Sequence, residues 1–293
     1  MVNVHRSTRG HRVFQGVNGV ILTAVVVVTL YPFLNIIARS LSGGRQIRAG
    51  EVTLWPKGFN LTTYRIVFHD SVFWRSYGNT VFYTVVSTAV AMVLTTCYAY
   101  VLSKKHLKGR SVLVGAAVFT MFFTGGLIPN YVLVTSLGLK NTVWALALPN
   151  AISVFNLLVM KAFFESLPSD LEEAAQIDGL RTYGILLRIV LPLSKAVVAT
   201  MVLFYSVSFW NSWFGAFLYM DQSDLMPVTV YLRNMIAGAT GGSNAGAATE
   251  QLSQVAANIQ AVTIVLTSLP ILCVYPFVQR YFVSGVMLGA VKG

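Results

Sequence analysis

The sequence predicts an all-α membrane protein with six transmembrane helices, and three observations carry that expectation. Only 11% of the 293 residues are charged, where a soluble chain averages about 25%. Apolar residues make up 55%, with a mean hydropathy of +0.67. Uncharged runs of roughly 20 residues, the length needed to cross about 30 Å of hydrocarbon at about 1.5 Å per residue, recur between basic loops.

In chain order the spans are Phe14–Ala38, Tyr77–Leu102, Ser111–Ser136, Asn141–Met160, Ala196–Met220 and Ile259–Gln279, and none contains Asp, Glu, Lys, Arg or His. The third holds Gly125, Gly126 and Pro129 and the fourth holds Pro149. Neighbouring helices and hydroxyls can re-satisfy the backbone groups such breakers free, so both spans are expected to bend. The run after Arg6, Arg9 and Arg12 exceeds the 7–15 residues of a signal-peptide core and lacks an A-x-A site, so it reads as an uncleaved first helix. With no linker and no internal repeat, residues 1–293 read as one transmembrane domain.

Orientation follows from Lys and Arg in short loops, which stay on the cytoplasmic side. Segments 1–13, 103–110, 161–195 and 280–293 hold 13 of the 21 Lys and Arg residues, among them Lys104, Lys105, Lys108, Arg110, Lys161 and Arg280. Both termini are therefore placed in the cytoplasm, with the chain multi-pass in the membrane. The net charge of +11 reflects this topology. The basic residues are scattered between apolar runs, not gathered on one face as nucleic-acid binding requires. Cys97 and Cys273 lie inside apolar runs at no disulfide or metal spacing, and read as packing residues.

The first outer loop, Arg39 to Ser76, carries Trp55, Phe59, Tyr64, Phe68, Phe73 and Trp74, which suits a short helix at the membrane interface. The last outer loop contains AGATGGSNAGAAT over 237–249. That uncharged Gly/Ala-rich stretch fits either a disordered loop or a flexible probe entering a concave partner.

The residues that are missing limit the reaction class. A transporter driven by an ion gradient keeps ionisable groups within its spans, and here there are none. His5, His11, His69 and His106 lie in tails or loops at no ligand spacing. G-x-S-x-G and G-x-x-x-x-G-K-[ST] are both absent. Uphill transport would therefore draw its energy from a partner. A secondary transporter, or a membrane scaffold or enzyme not coupled to ATP, remains the alternative class.

A partner could act on the inside loop KAFFESLPSDLEEAAQIDGLRTYGILLRIVLPLSK, 161–195. Ser169 and Glu172 fit a capping box that starts a helix. Leu171, Ala174, Ala175 and Asp178 then share one face, and Gly179 supplies a left-handed C-cap. A second helix with the stripe Tyr183, Leu186, Leu187 and Val190 follows, and Pro192 is expected to stop it. Such a hairpin is either an ordinary interfacial element or a docking element.

The run Glu173-Ala174-Ala175-x-x-Asp178-Gly179, followed by Ile189-x-Leu191-Pro192-Leu193, closely resembles the EAA loop of permease subunits in bacterial ABC importers. FFTGGLIPNYVLVTSLGLKNTVWALALPNAISVFNLLVMKAFF (122–164), FWNSW (209–213) and GVMLGAVKG (285–293) resemble the carbohydrate branch, the MalG-like group with its LplC-like oligosaccharide members. The likeness covers nearly the whole chain. Leu180, Leu186 and Ala196 depart from the family's usual Ala, Phe and Pro.

The resemblance implies a type I importer permease fold with a cytoplasmic coupling helix in an EAA loop over 165–192. The implied partners are a second homologous permease, two ATP-binding subunits, an extracytoplasmic solute-binding protein and a carbohydrate substrate. Catalysis, ATP and Mg would belong to the ATP-binding subunits, with no cofactor on this chain. By that match Glu173 and Asp178 anchor the coupling helix, Ala174 and Ala175 form its close-contact face, and Gly179 makes the turn. By position, Gly241, Gly242, Ser243 and Asn244 would touch the binding protein, and the tail ending at Gly293 would reach the ATPase.

Sugars are held by aromatic faces and by amides and hydroxyls. Trp210, Asn211 and Trp213, with Asn150, Ser153 and Asn156 at i, i+3 and i+6, offer that chemistry along a substrate path. The same residue types also bond helix to helix or sit at interfaces. Arg39, Arg45, Arg48, Arg65 and Arg75 in the first outer loop would suit an acidic oligosaccharide such as an alginate or uronate fragment, and would equally attract lipid phosphates.

Overall fold

A computed structural model of the protein describes residues 9–241, 258–273 and 276. Although the sequence shows no linker, the chain packs as two compact units, one of residues 1–69 and 232–268, the other of 70–231 and 269–293.

In the first unit, α1 (Arg9–Ser40) contains an apolar stretch, Val13–Ser40, whose most apolar window buries nothing. A helix apolar all round and uncovered by protein is one built to be solvated by lipid. The outer loop then forms α2 (Gly44–Arg48) and α3 (Thr62–His69). Tyr64 donates to Ser40 Oγ at 2.9 Å, and Asn35 Nδ2 donates to the Thr53 carbonyl at 2.7 Å. Asn258, at the start of the helix Asn258–Cys273, donates its amide to the Ser42 carbonyl.

The second unit is organised around α4 (Ser71–Ser103), which begins with Asp70 accepting from the Val72 N–H at 2.8 Å. Its buried positions include Ser76, Thr80, Tyr83, Ser87, Ala91, Thr95, Ala99 and Leu102, one face at helical spacing. α5 (Arg110–Phe122) and α6 (Leu127–Ser136) follow, bent by 111° across the segment that holds Gly125 and Gly126. Gly126 adopts φ +86°, open to glycine and costly for other residues.

The fourth apolar segment is not one helix. It divides into α7 (Trp144–Ala147) and α8 (Val154–Glu165). Pro149 has no N–H to give an intervening turn, and Ser153 caps α8 by accepting from the Asn156 N–H. Asn150 therefore precedes the helix and shares no helical face with Ser153 and Asn156. α9 (Ser169–Ile177) and α10 (Thr182–Ile185) come next, then a π-helical turn over Leu186–Val190 and α11 (Leu191–Leu193). The helix thus runs through Pro192 and breaks at Ser194, where the chain turns by 87° into α12 (Lys195–Trp210). The wider π turn shifts the hydrogen-bond register just where the proline would interrupt an α ladder. α13 (Trp213–Tyr219) follows, and α14 (Val228–Gly241) begins in this unit.

Among the described residues two helices are long and apolar enough to cross a membrane, or up to four if each bent pair is one span. Every apolar run read as a span contains helix in its described part. Cys97 and Cys273 are exposed, so they do not serve the packing role read from the sequence.

α4 packs most extensively against α8 and α12. The Tyr205 hydroxyl joins them, lying 2.6 Å from Thr95 Oγ1 and accepting the Ser153 N–H at 2.9 Å. One hydroxyl thus satisfies a backbone group at a partly buried helix start. Tyr205→Phe should lower stability by about 1 kcal/mol, read as a drop of about 2 °C in the thermal midpoint of the detergent-solubilised protein. An unchanged midpoint would show that the hydroxyl contributes nothing there.

Candidate functional site

The hairpin begins differently from its sequence pattern. Pro168 occupies the N-cap with φ −58°, no side chain caps the helix, and Ser169 is already inside α9. The capping box therefore does not form. The Ser169 hydroxyl faces Asp170 at 3.4 Å, and the Glu172 carboxylate is taken by the Lys104 ammonium. A charged partner across the fold outcompetes a neutral backbone N–H for that carboxylate. Asp170 and Glu172 still complement the positive end of the helix.

Lys104 is the C-cap of α4 and stands 3.9 Å above the Tyr100 ring, so the same ammonium carries a cation–π contact and an ion pair. Both partners are about one-fifth exposed. Beside them Arg110 donates to the Leu102 carbonyl at 2.7 Å and pairs with Glu165, which Lys161 approaches at 2.9 Å. Burial, and then the Arg110 charge, hold the Lys161 ammonium below the ordinary lysine range. The ends of α4, α5, α8 and α9 are thereby braced by charge pairs.

α9 closes where Gly179 adopts φ +82°. The Gly179 N–H bonds the Gln176 carbonyl at 3.0 Å and the Leu180 N–H bonds the Ala175 carbonyl at 2.9 Å, a Schellman motif. No atom lies within 4 Å of where a Cβ would stand, so glycine is required by the backbone angle alone.

Ala175 is 3% exposed and packs with Leu157, Met160, Phe164, Ile185, Leu186 and Val190. It is turned into the core and offers no surface to a partner, contrary to what the resemblance implied for it, whereas Ala174 is exposed along with Glu173, Asp178 and Gly179. The second stripe also divides. Leu186 and Val190 point inward, while Tyr183 is 77% and Leu187 63% exposed. Ile177, 87% exposed, was missed. Its place three residues after Ala174 would have put it on the same face. Ile177, Tyr183 and Leu187 thus form uncovered apolar surface on a hairpin whose other side is locked into the core.

Of the residues proposed to meet a sugar, Trp210 is buried and meets Tyr77 edge to face at 5.7 Å. Asn156 is buried, Asn150 and Asn211 are exposed, and Trp213 is partly exposed beside Phe214. Asn211 Nδ2 bonds back to the Val207 carbonyl at 2.9 Å. Trp210 lines two cavities beside α4, and none of the other residues lines either of them. Gly241 closes α14, and Gly242, Ser243, Asn244 and Gly293 lie outside the described residues. Among the described residues no group of three His, Cys, Asp or Glu could hold a metal.

At the other end of α4, Asn79 donates to the Asp224 carbonyl at 2.7 Å and Tyr83 to the Leu225 carbonyl at 2.9 Å. Tyr231 donates to Asp70 at 2.5 Å, and burial together with that bond raises its hydroxyl above the ordinary tyrosine value. Lys140 pairs with Asp221 at 2.7 Å, which raises its ammonium above the usual lysine value.

The described helices are apolar enough to suit lipid, and a polar hairpin is held against them by charge pairs. The chain belongs to the family described as binding-protein-dependent transport system inner membrane component, whose profile matches residues 80–288. It is 42% identical over 295 residues to protein LplC of Bacillus subtilis (strain 168), covering 100% of both chains. It is 41% identical over 276 residues to the polygalacturonan/rhamnogalacturonan transport system permease protein YtcP of the same organism, covering 93% of this chain and 96% of that one. Among solved structures it superposes, with a TM-score of 0.83 and 33% identity, on a chain of a bacterial ABC transporter involved in the import of the acidic polysaccharide alginate. That match covers 94% of this chain and 98% of the other. The fold is that of an ABC importer permease of the inner membrane.

A partly buried ion pair of the Lys104–Glu172 kind is worth about 0.5–1 kcal/mol, so reversing either charge should loosen α9. Cleavage by trypsin at the exposed Arg181 should accelerate about two- to fivefold in Lys104→Glu or Glu172→Lys, by that same energy. The double exchange should restore the original rate. Equal rates in all four proteins would show that the pair does not fasten the hairpin.

Proposed function

We propose that this chain is the permease subunit through which a carbohydrate, an acidic oligosaccharide of the uronate class, enters the cell under ATP hydrolysis by partner subunits. The observation that carries the reading is the hairpin. Its inner face is locked to α4 and α8 through Ala175, Leu186 and the Lys104–Glu172 pair. Its outer face, Glu173, Ala174, Ile177 and Asp178, stands exposed. A push on that face is transmitted to the helices because the hairpin cannot slide on its own core.

The complete transporter on this reading contains a second homologous permease, two ATP-binding subunits that hold ATP and Mg, and an extracytoplasmic solute-binding protein. This chain contributes no catalysis. The hairpin and both termini face the cytoplasm, supported by the Lys and Arg bias of the loops. The acidic substrate is supported by the polygalacturonan/rhamnogalacturonan permease and by the alginate importer to which the chain is similar. It also suits the outer-loop arginines, which would draw an anion toward the path.

The purified complex in liposomes should hydrolyse ATP faster only when its binding protein carries a uronate oligosaccharide. Stimulation by neutral oligosaccharides alone would overturn the acidic substrate, and no stimulation by any carbohydrate would overturn the importer reading. Gly179→Pro, which also removes the N–H bonded to Gln176, and Ala174→Trp on the exposed face should both abolish ATP-coupled uptake while membrane insertion persists. Normal uptake by either would remove the hairpin from the coupling route.

A further inference from the structure

We propose that the middle of α4, through the hydroxyls of Thr84, Ser87 and Thr88, lines the route the carbohydrate takes through this subunit. The inference rests on the function proposed above and places part of its substrate contact on a helix the sequence did not single out.

The hydroxyls on the buried face of α4 fall into two groups. Toward its ends Thr80, Thr95, Thr96 and Ser103 are bonded. Thr80 Oγ1 donates to the Ser76 carbonyl at 2.8 Å and accepts the Val228 N–H at 2.8 Å, while Thr95 Oγ1 meets the Tyr205 hydroxyl. The three in the middle have no partner among the described residues, though they are 8%, 1% and 8% exposed. They cluster within five consecutive residues, halfway along a helix of 33, the depth at which a bilayer supplies no water to compensate. The large majority of buried polar side chains in native proteins are hydrogen-bonded, so three adjacent exceptions call for an explanation.

Two cavities open onto the same stretch. One of about 10 Å³, room for about one water, is lined by Ser87 with Tyr83, Ser212 and Trp210. The other, about 190 Å³, is lined by Thr84 with Ser206, Leu203 and Trp210. Trp210 borders both. The larger cavity is walled mostly by aliphatic side chains, among them Val81, Val85, Val207 and Ile271; set into the two linings are hydroxyls that both donate and accept, one indole face, and no formal charge. That set matches a hydroxyl-rich ring presenting C–H surface and O–H groups by turns. Lacking charge, it would hold each sugar weakly enough for the chain to move on. In the conformation described the three residues are buried; in the transporting state their hydroxyls would bond to the substrate.

The test replaces the hydroxyls without changing shape, as Thr84→Val, Ser87→Ala and Thr88→Val together, in the complete transporter in vesicles. The expected result is a thermal midpoint equal to or above that of the wild type, with carbohydrate uptake reduced at least fivefold at matched amounts of assembled complex. Uptake equal to the wild type, or a fall in midpoint that accounts for the loss, would overturn the proposal, because the hydroxyls would then serve the fold alone.

A second measurement follows Ser87→Cys in a chain lacking Cys97 and Cys273. A small water-soluble thiol reagent should label it under ATP turnover and not at rest, with protection by the transported oligosaccharide. Absence of labelling in every state would overturn the proposal. If the wild type itself shows no ATP-driven carbohydrate uptake, the proposed function fails, and the labelling still decides whether the stripe faces an aqueous path.

Discussion

A hydrocarbon bilayer offers a backbone N–H or C=O nothing to bond, and the rest of this structure follows from that constraint. Long helices satisfy themselves, but the breaks between them must be served by side chains. Tyr205 accepts the N–H at the start of α8, Ser153 caps the same helix, and Thr80 accepts the N–H that begins α14. Tyr83 and Asn79 serve the carbonyls of the 224–226 turn. These bonds converge on α4 and the helices packed against it, so α4 acts as the mast to which the irregular parts of its unit are tied.

The same helix also connects the polar hairpin to the bundle. Lys104 ends α4 and holds Glu172 of α9, while Arg110, Glu165 and Lys161 brace the neighbouring helix ends. Ala175 admits close packing beneath α9, and the left-handed Gly179 turns the chain so that Tyr183 and Leu187 come out on the second arm. On the proposed function, this hairpin, with its exposed apolar side chains, would pass force from a partner into spans that carry no Asp, Glu, Lys, Arg or His.

Much of this was legible in the sequence because its physics is local or compositional. Charge depletion gave the membrane class, and the position of Gly179 after a helical face gave the turn. What failed depended on distant partners or on small shifts of register. The Ser169–Glu172 box is sound as a local pattern, but Lys104 lies 68 residues away and captures the carboxylate. Pro192 marked a stop, and a π turn carried the helix through it to Leu193. Ala174 and Ala175 look alike in sequence, and only packing separates the exposed one from the buried one. Asn150, Ser153 and Asn156 would share a face only if the helix began before Pro149. The importance of α4 was illegible because hydroxyls are common in apolar helices, and their meaning lies in which of them find partners.

The central claim is that a partner subunit covers the outer face of the hairpin. It is tested most directly by placing a cysteine at Ile177, in a chain lacking Cys97 and Cys273, and comparing its maleimide labelling in the isolated permease and in the complete transporter. The account predicts rapid labelling alone, strong protection in the complex, and a cross-link from this position to the ATP-binding subunit. Labelling at the same rate in both would contradict it, because the face would then be open to solvent while the transporter is assembled.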